Sequence, residues 1–223
     1  MNNRLTLLIP AKFESESLPI FLDELKDYSF KKLVVLDQTD TKTIQSISKF
    51  KDIEILCQKQ TGYGNALIEG INHVKTELFC IINADGSMNP KELNEMLNEI
   101  GNNVDVVFGS RYMKNAGSDD DDFITSIGNF CFTLLGKVFF GLSISDILYT
   151  YVLGKTNLVK SLNLKSGDFK FCIELPIKAK RNNLSCISSP SYERSRIGGK
   201  KKVSPFIDGL KILFGMISLF FKR

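Results

Sequence analysis

The chain has 223 residues, of which 43% are hydrophobic and 24% are charged, and its formal net charge is +4. This length and composition suit one globular domain with a sizeable core, and they exclude a disordered chain, a collagen-like chain and a disulfide scaffold. The single histidine, His73, excludes a metal site built from several histidines and limits any Ser-His or Cys-His mechanism to that residue. It falls off the apolar stripe of its predicted helix, so we expect it at the surface.

The first half of the chain alternates short apolar runs with amphipathic segments. Helix starts are indicated near Ser17, at the turn Gly62-Tyr63-Gly64, and at Asn89-Pro90, where proline occupies the first helical position. Buried strands that alternate with helices indicate an α/β fold with a mostly parallel sheet. The apolar runs, each predicted to form a strand, are 5–9, 33–36, 53–57, 78–82 and 104–108.

Polar side chains follow these predicted strands at the points where the strands end. In an open parallel sheet, ligands bind beyond the carboxyl ends of the strands, so these residues are predicted to line one site. They are Glu14, Asp37, Asp40, Asp85 and Arg111.

The second half contains two long apolar segments. The run of four carboxylates at 119–122 precedes the first, 123–142, and is predicted to be a solvated loop. The second apolar segment, 206–221, lies between the basic clusters 200–202 and 222–223. At about 16 residues it is shorter than the ~20 that a membrane span needs, and its basic flanks suit a helix lying on an anionic membrane surface.

Segment 123–142 is long enough to span a membrane, but Lys137, Asn129 and several Gly and Ser residues argue against a span. The alternative, that both apolar segments are core-covering helices of a soluble domain, stays open. The five cysteines form no Cys-x-x-Cys pair, and the N-terminus lacks a signal-peptide pattern. We therefore expect a cytoplasmic protein, peripheral on the cytoplasmic face of the membrane.

Five segments match the motifs of one enzyme family in the family's order. Pro10-Ala11-Lys12-Phe13-Glu14 resembles Pro-Ala-x-Asn-Glu, with Phe13 at the usual Asn, and 36–43 is similar to the stretch Asp-Asp-Ser-x-Asp-Gly-Thr. Gly62 to Ala66 resembles Gly-x-Gly-x-Ala, 83–90 resembles Asp-Ala-Asp-x-x-x-x-Pro, and Gly109-Ser110-Arg111-Tyr112 is unchanged. The chain therefore resembles the family 2 glycosyltransferases with the GT-A fold, particularly the polyprenyl-phosphate (dolichyl-phosphate mannosyltransferase-like) branch.

The resemblance implies a Rossmann-like GT-A domain over 1–202, followed by a C-terminal amphipathic, membrane-interfacial helix over 203–223. It implies an inverting transfer of a sugar from a nucleotide-sugar donor to a polyprenyl phosphate. Alternatives are a saccharide hydroxyl acceptor in cell-surface glycan synthesis, an inactive nucleotide-sugar-binding peripheral protein, and a nucleotidyltransferase. Against the nucleotidyltransferase, this sequence has no Gly-rich, Lys-bearing loop near the first strand.

The chemistry of such a donor explains the residue types at the strand ends. Negative charge develops on the leaving diphosphate, and a divalent cation such as Mg²⁺ or Mn²⁺, held by carboxylate oxygens, stabilises that charge together with guanidinium donors. Asp85 is the predicted metal ligand. Asp85 and Arg111 are both predicted catalytic residues, and Arg111 is predicted to contact phosphate. Asn83 replaces a carboxylate of the family motif, so the cation should be held less strongly.

Further roles follow from the resemblance. Asp146, in a segment where Thr150 replaces a family glycine, is a candidate catalytic base near the acceptor. Arg194, Arg196 and Lys200 resemble a loop that closes over phosphates of the acceptor or donor. The implied nucleotide-sugar-binding residues are Pro10, Ala11, Glu14, Asp37, Gln38, Asp40, Gly62, Gly64, Asn83 and Ala84.

The scarcity of histidine bears on the acceptor. A hydroxyl acceptor benefits from a general base, whereas a phosphate monoester is already anionic near neutral pH because its second pKa is about 6. The lack of candidate bases therefore favours a lipid phosphate, and no nucleic acid partner is expected.

Overall fold

The structure is a computed structural model that describes residues 4–101, 103–198 and 205–222. Seven strands form its main sheet, and a separate pair of two-residue strands joins two loops. The strands are β1 (Leu5–Pro10), β2 (Lys31–Leu36), β3 (Ile53–Cys57), β4 (Leu78–Ile81), β5 (Val106–Ser110), β6 (Gly117–Ser118), β7 (Val152–Lys155), β8 (Cys186–Pro190) and β9 (Tyr192–Glu193).

Within the described residues, eight α-helices connect or flank these strands, together with two short 3-10 turns at Leu25–Asp27 and Pro90–Glu92. The Pro90 turn begins where the Asn89-Pro90 signal predicts it, and the Asn89 side chain accepts a hydrogen bond from the Lys91 N–H at 3.1 Å. The helices are α1 (Ser17–Glu24), α2 (Thr41–Ser46), α3 (Tyr63–His73), α4 (Leu93–Glu99), α5 (Phe123–Phe140), α6 (Thr156–Ser161), α7 (Phe171–Arg181) and α8 (Pro205–Phe221).

The main sheet has the strand order β3-β2-β1-β4-β7-β5-β8, and the predicted mostly parallel α/β sheet is confirmed. One strand runs against the others, since β7 pairs antiparallel with both β4 and β5. The sequence did not indicate β7, because only two of its four residues, Val152 and Leu153, are strongly apolar and the strand depends on two neighbours far away in the chain. Gly154 in this strand lets Phe79 approach, as a Cβ there would lie 3.0 Å from the Phe79 ring.

The sheet is covered on both faces, as buried parallel strands require. On one face α1 and α4 contribute Phe21 and Met96 to the core. On the other face α3, α7 and α8 contribute side chains such as Leu67, Phe171 and Met216. The central strands are therefore rigidly held, and their carboxyl ends are fixed relative to one another.

Helices α5 and α8 lie side by side on the second face. Their C-terminal ends touch through Phe220, whose ring centroid lies 5.9 Å from that of Phe139 and 6.0 Å from that of Phe140. The C-terminal end of α8 is also fixed to α7, because Arg181 donates hydrogen bonds to the carbonyl of Lys222 at 2.7 Å and to that of Leu219. The division into a domain 1–202 and a segment 203–223 stays a prediction.

Candidate active site

A cavity of about 820 Å³ lies at the carboxyl ends of the central strands. The chain segments that follow four strands reach it: Glu14 after β1, Asp37 after β2, Asp85 after β4 and Arg111 after β5. This is the edge of the sheet at which the strand-end pattern predicts a site.

The loop after β1 forms one wall and is held from behind by Asp40. Pro10, Ala11 and Glu14 line the cavity. Asp40 is buried, accepts a hydrogen bond from the Phe13 N–H at 2.6 Å, and caps α2 by accepting one from the Thr43 N–H. Asp40 is not among the described residues that line the cavity, so its position suits shaping the loop rather than touching a nucleotide.

Phe13 has a backbone conformation that its side chain disfavours. Its φ is 54°, in the left-handed region, where Asn is tolerated and bulky residues are rare. The family motif that this loop resembles has Asn at this position. The hydrogen bond from Phe13 to Asp40 helps to hold the strained backbone in place.

Asp37 and its neighbours form the next part of the wall. The Thr39 N–H and hydroxyl donate to Asp37 Oδ1 at 2.9 and 2.7 Å, and these bonds hold the pKa of the Asp37 carboxyl below its usual value. Gln38 is exposed and is not among the described lining residues.

His73 lies in an exposed pair with Glu54 at 2.6 Å, as its off-stripe position predicts.

Gly62 and Gly64 place the N-terminus of α3 at the cavity. Gly62 lines the cavity and has a φ of 124°, a conformation that favours glycine. A Cβ on Gly64 would overlap the carbonyl oxygen of Ser166, so this glycine is needed for the loop 166–168 to pack against the helix. Of the two, Gly62 is therefore placed to meet a ligand and Gly64 is placed for packing.

Three cavity residues that the sequence did not indicate form a connected group. The hydroxyls of Tyr63 and Thr150 are 2.6 Å apart, and Tyr63 also donates to Asn83 Oδ1 at 3.3 Å. The ring of Phe169 stacks on Tyr63 at 5.2 Å between centroids. Tyr63 stands inside the Gly-x-Gly turn, which is the one sequence signal that could have drawn attention to it.

Asp85 lies at the end of β4, beside Asn83 and Ala84, which also line the cavity. Its Oδ1 accepts hydrogen bonds from the Ser87 N–H at 3.1 Å and from the Ser87 hydroxyl at 2.8 Å. Its Oδ2 lies 3.8 Å from Nε of Arg196, another lining residue. Ser87 thus fixes Oδ1 of Asp85, and Oδ2 faces the guanidinium of Arg196 within the cavity.

Arg111 is buried in a cluster of three carboxylates. Its Nε and Nη2 bind the two oxygens of Asp146 at 2.8 and 3.1 Å, and its Nη1 lies 3.1 Å from both Asp121 and Glu193. Burial opposes the charge on Arg111, but these carboxylates prevail and hold its pKa well above the ordinary value. Burial also opposes the charge on Glu193, and this raises the pKa of the Glu193 carboxyl.

Asp146 lies behind Arg111 rather than in the cavity. Its exposed fraction is 0%, and it is not among the described lining residues. Both carboxylate oxygens are bound by the Arg111 guanidinium, and Oδ2 also accepts from the Arg111 N–H at 3.3 Å. This placement suits a residue that positions Arg111, whereas a catalytic base needs direct reach to the acceptor.

The prediction of a solvated loop at 119–122 is wrong for two of its four carboxylates. The Asp121 side chain is 6% exposed and contacts Arg111, and Asp120 binds Arg196 at 2.8 Å. The parallel pair β6–β9 brings this loop against the segment that carries Arg196. Long-range arginine partners therefore turn an acidic run into part of the cavity wall.

The three basic residues of the predicted phosphate-closing loop have different outcomes. Arg196 lines the cavity. Arg194 does not reach it, because its guanidinium binds Glu24 at 2.9 and 3.1 Å and the Gly86 carbonyl at 2.7 Å, which ties down the turn after Asp85. Lys200 lies outside the described residues.

The donor set fits a divalent cation that is shared with a substrate. Among the described residues, no group of three or more His, Cys, Asp or Glu side chains is arranged to hold a metal ion. Mg²⁺ is commonly held by one or two carboxylates, with substrate phosphates and waters completing its coordination. Asp85, with a hard oxygen at the cavity and Ser87 fixing the other oxygen, provides such a ligand.

The sheet order, with one antiparallel strand near its centre and carboxylates at the strand ends, is that of the GT-A fold. Residues 6–162 match the sequence model of the family described as Glycosyl transferase family 2, and the chain belongs to this family. The prediction of an enzyme, a glycosyltransferase that uses a nucleotide-sugar donor, is confirmed at the level of the family.

Relatives cover nearly the whole chain. An uncharacterized glycosyltransferase of Mycobacterium tuberculosis is 24% identical over 204 residues, covering 92% of this chain and 91% of the relative. An uncharacterized protein of Methanocaldococcus jannaschii is 25% identical over 222 residues, covering 95% and 90%.

Solved structures confirm the fold. Glucosyl-3-phosphoglycerate synthase from Mycobacterium tuberculosis, in complex with Mn²⁺, UDP and phosphoglyceric acid, aligns with a TM-score of 0.70 at 13% identity. The alignment covers 98% of this chain and 79% of that protein. A complex of the same synthase with Mn²⁺ and UDP-glucose gives a TM-score of 0.68 at 12% identity, covering 98% of this chain and 79% of that one. At this identity the likeness shows the GT-A fold alone.

Proposed function

We propose that this glycosyltransferase inverts the anomeric centre of its donor sugar and transfers that sugar to a polyprenyl phosphate at a membrane surface. One observation carries the proposal: the cavity that holds Asp37 and Asp85 is also lined by α5, through Thr125, and by α8, through Ile207 and Ile212. These two helices have strongly apolar outer faces. An acceptor with an apolar tail therefore has a route from a membrane to the strand-end carboxylates.

The outer faces of α5 and α8 form what we call the apolar surface. Phe123 at its edge is 79% exposed. Monomeric soluble proteins rarely expose large contiguous apolar patches, and such patches mark protein or membrane contacts. Its exposed side chains are Phe123, Ile124, Ile127, Phe130, Leu134, Val138 and Phe139 of α5, and Phe206, Ile207, Leu210, Phe214, Ile217, Phe220 and Phe221 of α8.

The inner face of α5 favours a helix that lies on the membrane. Judged by length and composition, α5 is the one helix among the described residues that is long and apolar enough to cross a membrane. However, Asn129, Thr133 and Gly136 are buried against the protein, and the Thr133 hydroxyl accepts a hydrogen bond from the Ile147 N–H at 3.2 Å. A helix fixed to the domain along one face suits peripheral attachment. We propose the cytoplasmic face, where anionic lipids attract exposed lysines such as Lys137 and Lys222.

The strand-end residues supply the donor side of the reaction. We propose that the nucleotide lies along 10–14 and Asp37, and that the diphosphate lies at Asp85 with Mg²⁺ or Mn²⁺. When bound, the cation stabilises the negative charge that develops on the leaving diphosphate. Arg196 adds a cationic group at the same place, while Asp146 keeps the Arg111 guanidinium oriented and charged.

The bond changes need no base on the protein. An oxygen of the acceptor phosphate bonds to the anomeric carbon on the face opposite the diphosphate, and the bond from that carbon to the diphosphate oxygen breaks. The departing nucleoside diphosphate takes the electron pair, so the anomeric configuration inverts. Because the attacking phosphate oxygen carries no proton near neutral pH, the buried position of Asp146 is no obstacle to this reaction.

The donor is identified first. A thermal-shift panel of UDP-, GDP-, CDP- and dTDP-sugars should show one nucleotide raising the unfolding temperature, more strongly with Mg²⁺ or Mn²⁺ than with EDTA. Equal shifts with and without the cation would count against the proposed role of Asp85 as a metal ligand.

The acceptor test uses the full chain and the labelled donor that binds. We expect transfer to a short polyprenyl phosphate and none to the matched polyprenol, which lacks the phosphate, and the product's anomeric coupling constant should report inversion. Transfer only to a saccharide hydroxyl would instead favour the glycan-synthesis alternative. Donor binding without turnover on any acceptor would favour the inactive nucleotide-sugar-binding protein.

A further inference from the structure

Helix α8 carries two charged side chains, and both lie at the cavity. Its sequence is apolar or small apart from Asp208, Lys211 and one serine. Asp208 is buried, and its Oδ1 lies 3.2 Å from Nζ of Lys211. Both residues line the cavity, between the apolar neighbours Ile207 and Ile212. The Lys211 side chain is 55% exposed and borders this cavity as well as the solvent, so its ammonium group is placed to reach an anionic ligand there.

A second observation comes from the first turn of α5. The Thr125 N–H is capped by Asp122 at 2.7 Å, but the Thr125 hydroxyl is buried and has no hydrogen-bond partner within the described part of the chain. Thr125 also lines the cavity. A buried hydroxyl without a partner is uncommon and points to a group that is supplied by another molecule.

We infer that Lys211 and Thr125 form the subsite that binds the phosphate of the acceptor; this inference rests on the proposed function. The phosphate carries a charge of about −1.5 to −2 near neutral pH and has oxygens that accept from both the ammonium and the hydroxyl. Lys211 has three N–H donors, so its contact with Asp208 leaves others for the ligand. Ile207 and Ile212 then face the first isoprene units of the chain.

The location of the subsite suits an acceptor that arrives from the membrane. Lys211 and Thr125 belong to the two helices of the apolar surface, whereas Asp37 and Asp85 belong to the sheet. Donor and acceptor would thus enter the same cavity from different walls. Neither Lys211 nor Thr125 matches a motif, which explains why the sequence did not indicate them.

Lys211→Met tests the inference because methionine keeps the length of the side chain and removes its charge. In detergent with a short polyprenyl phosphate, we expect the acceptor KM to rise about tenfold to a hundredfold, the usual range for a hydrogen bond to a charged group. The donor KM should stay unchanged. Thr125→Val should raise the acceptor KM several-fold, and Lys211→Arg should recover part of the loss. The matched control is Lys137→Met, which removes an exposed lysine of the same surface.

Lys211 could alternatively bind the phosphate of a membrane phospholipid. Flotation with vesicles that mix neutral and anionic phospholipid separates the two sources, because anionic lipids attract exposed lysines. The inference expects Lys211→Met to float as the wild type does while its acceptor KM is raised. Weaker flotation with an unchanged acceptor KM in detergent would overturn it in favour of a lipid contact.

The remaining outcomes are also decisive. If the wild type transfers sugar to polyprenyl phosphate and Lys211→Met has the wild-type acceptor KM, the subsite is wrong and the proposed function stands. If the wild type uses no phosphate acceptor, both are overturned. A thermal unfolding curve for each variant shows that an altered KM does not come from misfolding.

Discussion

The strand-end wall of the cavity and the helix pair α5–α8 are built in opposite ways. At the strand ends the polar groups are held by partners within the chain: Asp37 by Thr39, Asp85 by Ser87, and Arg111 by Asp146. The helix pair exposes a broad apolar surface and leaves the Thr125 hydroxyl without a partner among the described residues. The first wall is complete as it folds, whereas the second suits completion by a lipid.

This difference fits the chemistry required of each wall. Charge stabilisation at a leaving diphosphate works best when dipoles and charges are fixed before the reaction, since they then need no reorganisation. A rigid sheet buried on both faces provides that fixation. Binding a lipid needs apolar area and access instead, which two helices on the outside of the domain provide.

The largest effect is expected from a substitution in the strand-end wall that removes the charge of the proposed cation ligand, Asp85. Asp85→Asn keeps an oxygen for Ser87 but removes the charge, and we expect the transfer rate to fall about a thousandfold. The reason is that a cation at a developing charge is worth several kcal/mol, and about 1.4 kcal/mol corresponds to a factor of ten. Steady-state kinetics with Mg²⁺ or Mn²⁺ measures it, and the unfolding temperature should be unchanged.

The matched variant is Asn83→Asp, which restores the carboxylate of the family motif beside Asp85. We expect it to lower the cation concentration that gives half-maximal rate, because a second carboxylate adds a hard anionic ligand. Full activity of Asp85→Asn would refute the site assignment itself.

The second prediction concerns what keeps that wall rigid. Asp146→Asn leaves the buried Arg111 with one fewer charged partner, and breaking a buried ion pair costs about 3 kcal/mol of unfolding free energy. Urea unfolding measures this loss. Asp168→Asn is the control, because Asp168 lines the cavity and its half-exposed ion pair with Lys170 contributes little, while the Asn oxygen can still accept the hydrogen bond from the Lys170 N–H.

Kinetics of the same variant separate a positioning role from a base. If Asp146 positions Arg111, transfer should weaken at every pH without loss of an ionisation from the rate profile. A variant with wild-type stability, and with transfer abolished only for a hydroxyl acceptor, would instead support a catalytic base.

The third prediction concerns the apolar surface, from which two exposed Phe side chains are removed. Phe130→Ser combined with Phe214→Ser should weaken vesicle binding by about a hundredfold or more, because each inserted Phe contributes about 1.5–3 kcal/mol and about 1.4 kcal/mol corresponds to a factor of ten. Stability should change little, since both side chains are exposed. Ile20→Ser is the control: Ile20 is 55% exposed but lies on α1, on the other face of the sheet. Equal flotation of all three proteins would show that the apolar surface does not meet the membrane.

The two walls also differ in how far the sequence predicts them. The strand-end residues could be located because continuous apolar runs such as 5–9 and 78–82 specify buried strands, and parallel strands end at one edge. The sequence could not predict three other features, because each depends on pairing with distant segments. These are the antiparallel β7, the β6–β9 pair and the burial of Asp121. The long apolar helices were visible from composition, but which of their faces is exposed depends on the core beneath them.

The smallest expected effect tests whether the strand-end wall stores local strain. Phe13→Asn should raise the unfolding free energy by about 1 kcal/mol, because Asn tolerates a φ of 54° far better than Phe and the 67% exposed ring loses little burial. Phe13→Ala is the control, since it removes the ring but keeps a Cβ and hence the strain. Urea unfolding of the two variants should therefore separate them. A gain for Phe13→Ala equal to that for Phe13→Asn would assign the effect to the exposed ring, and the backbone of this wall would then be as relaxed as that of α5 and α8.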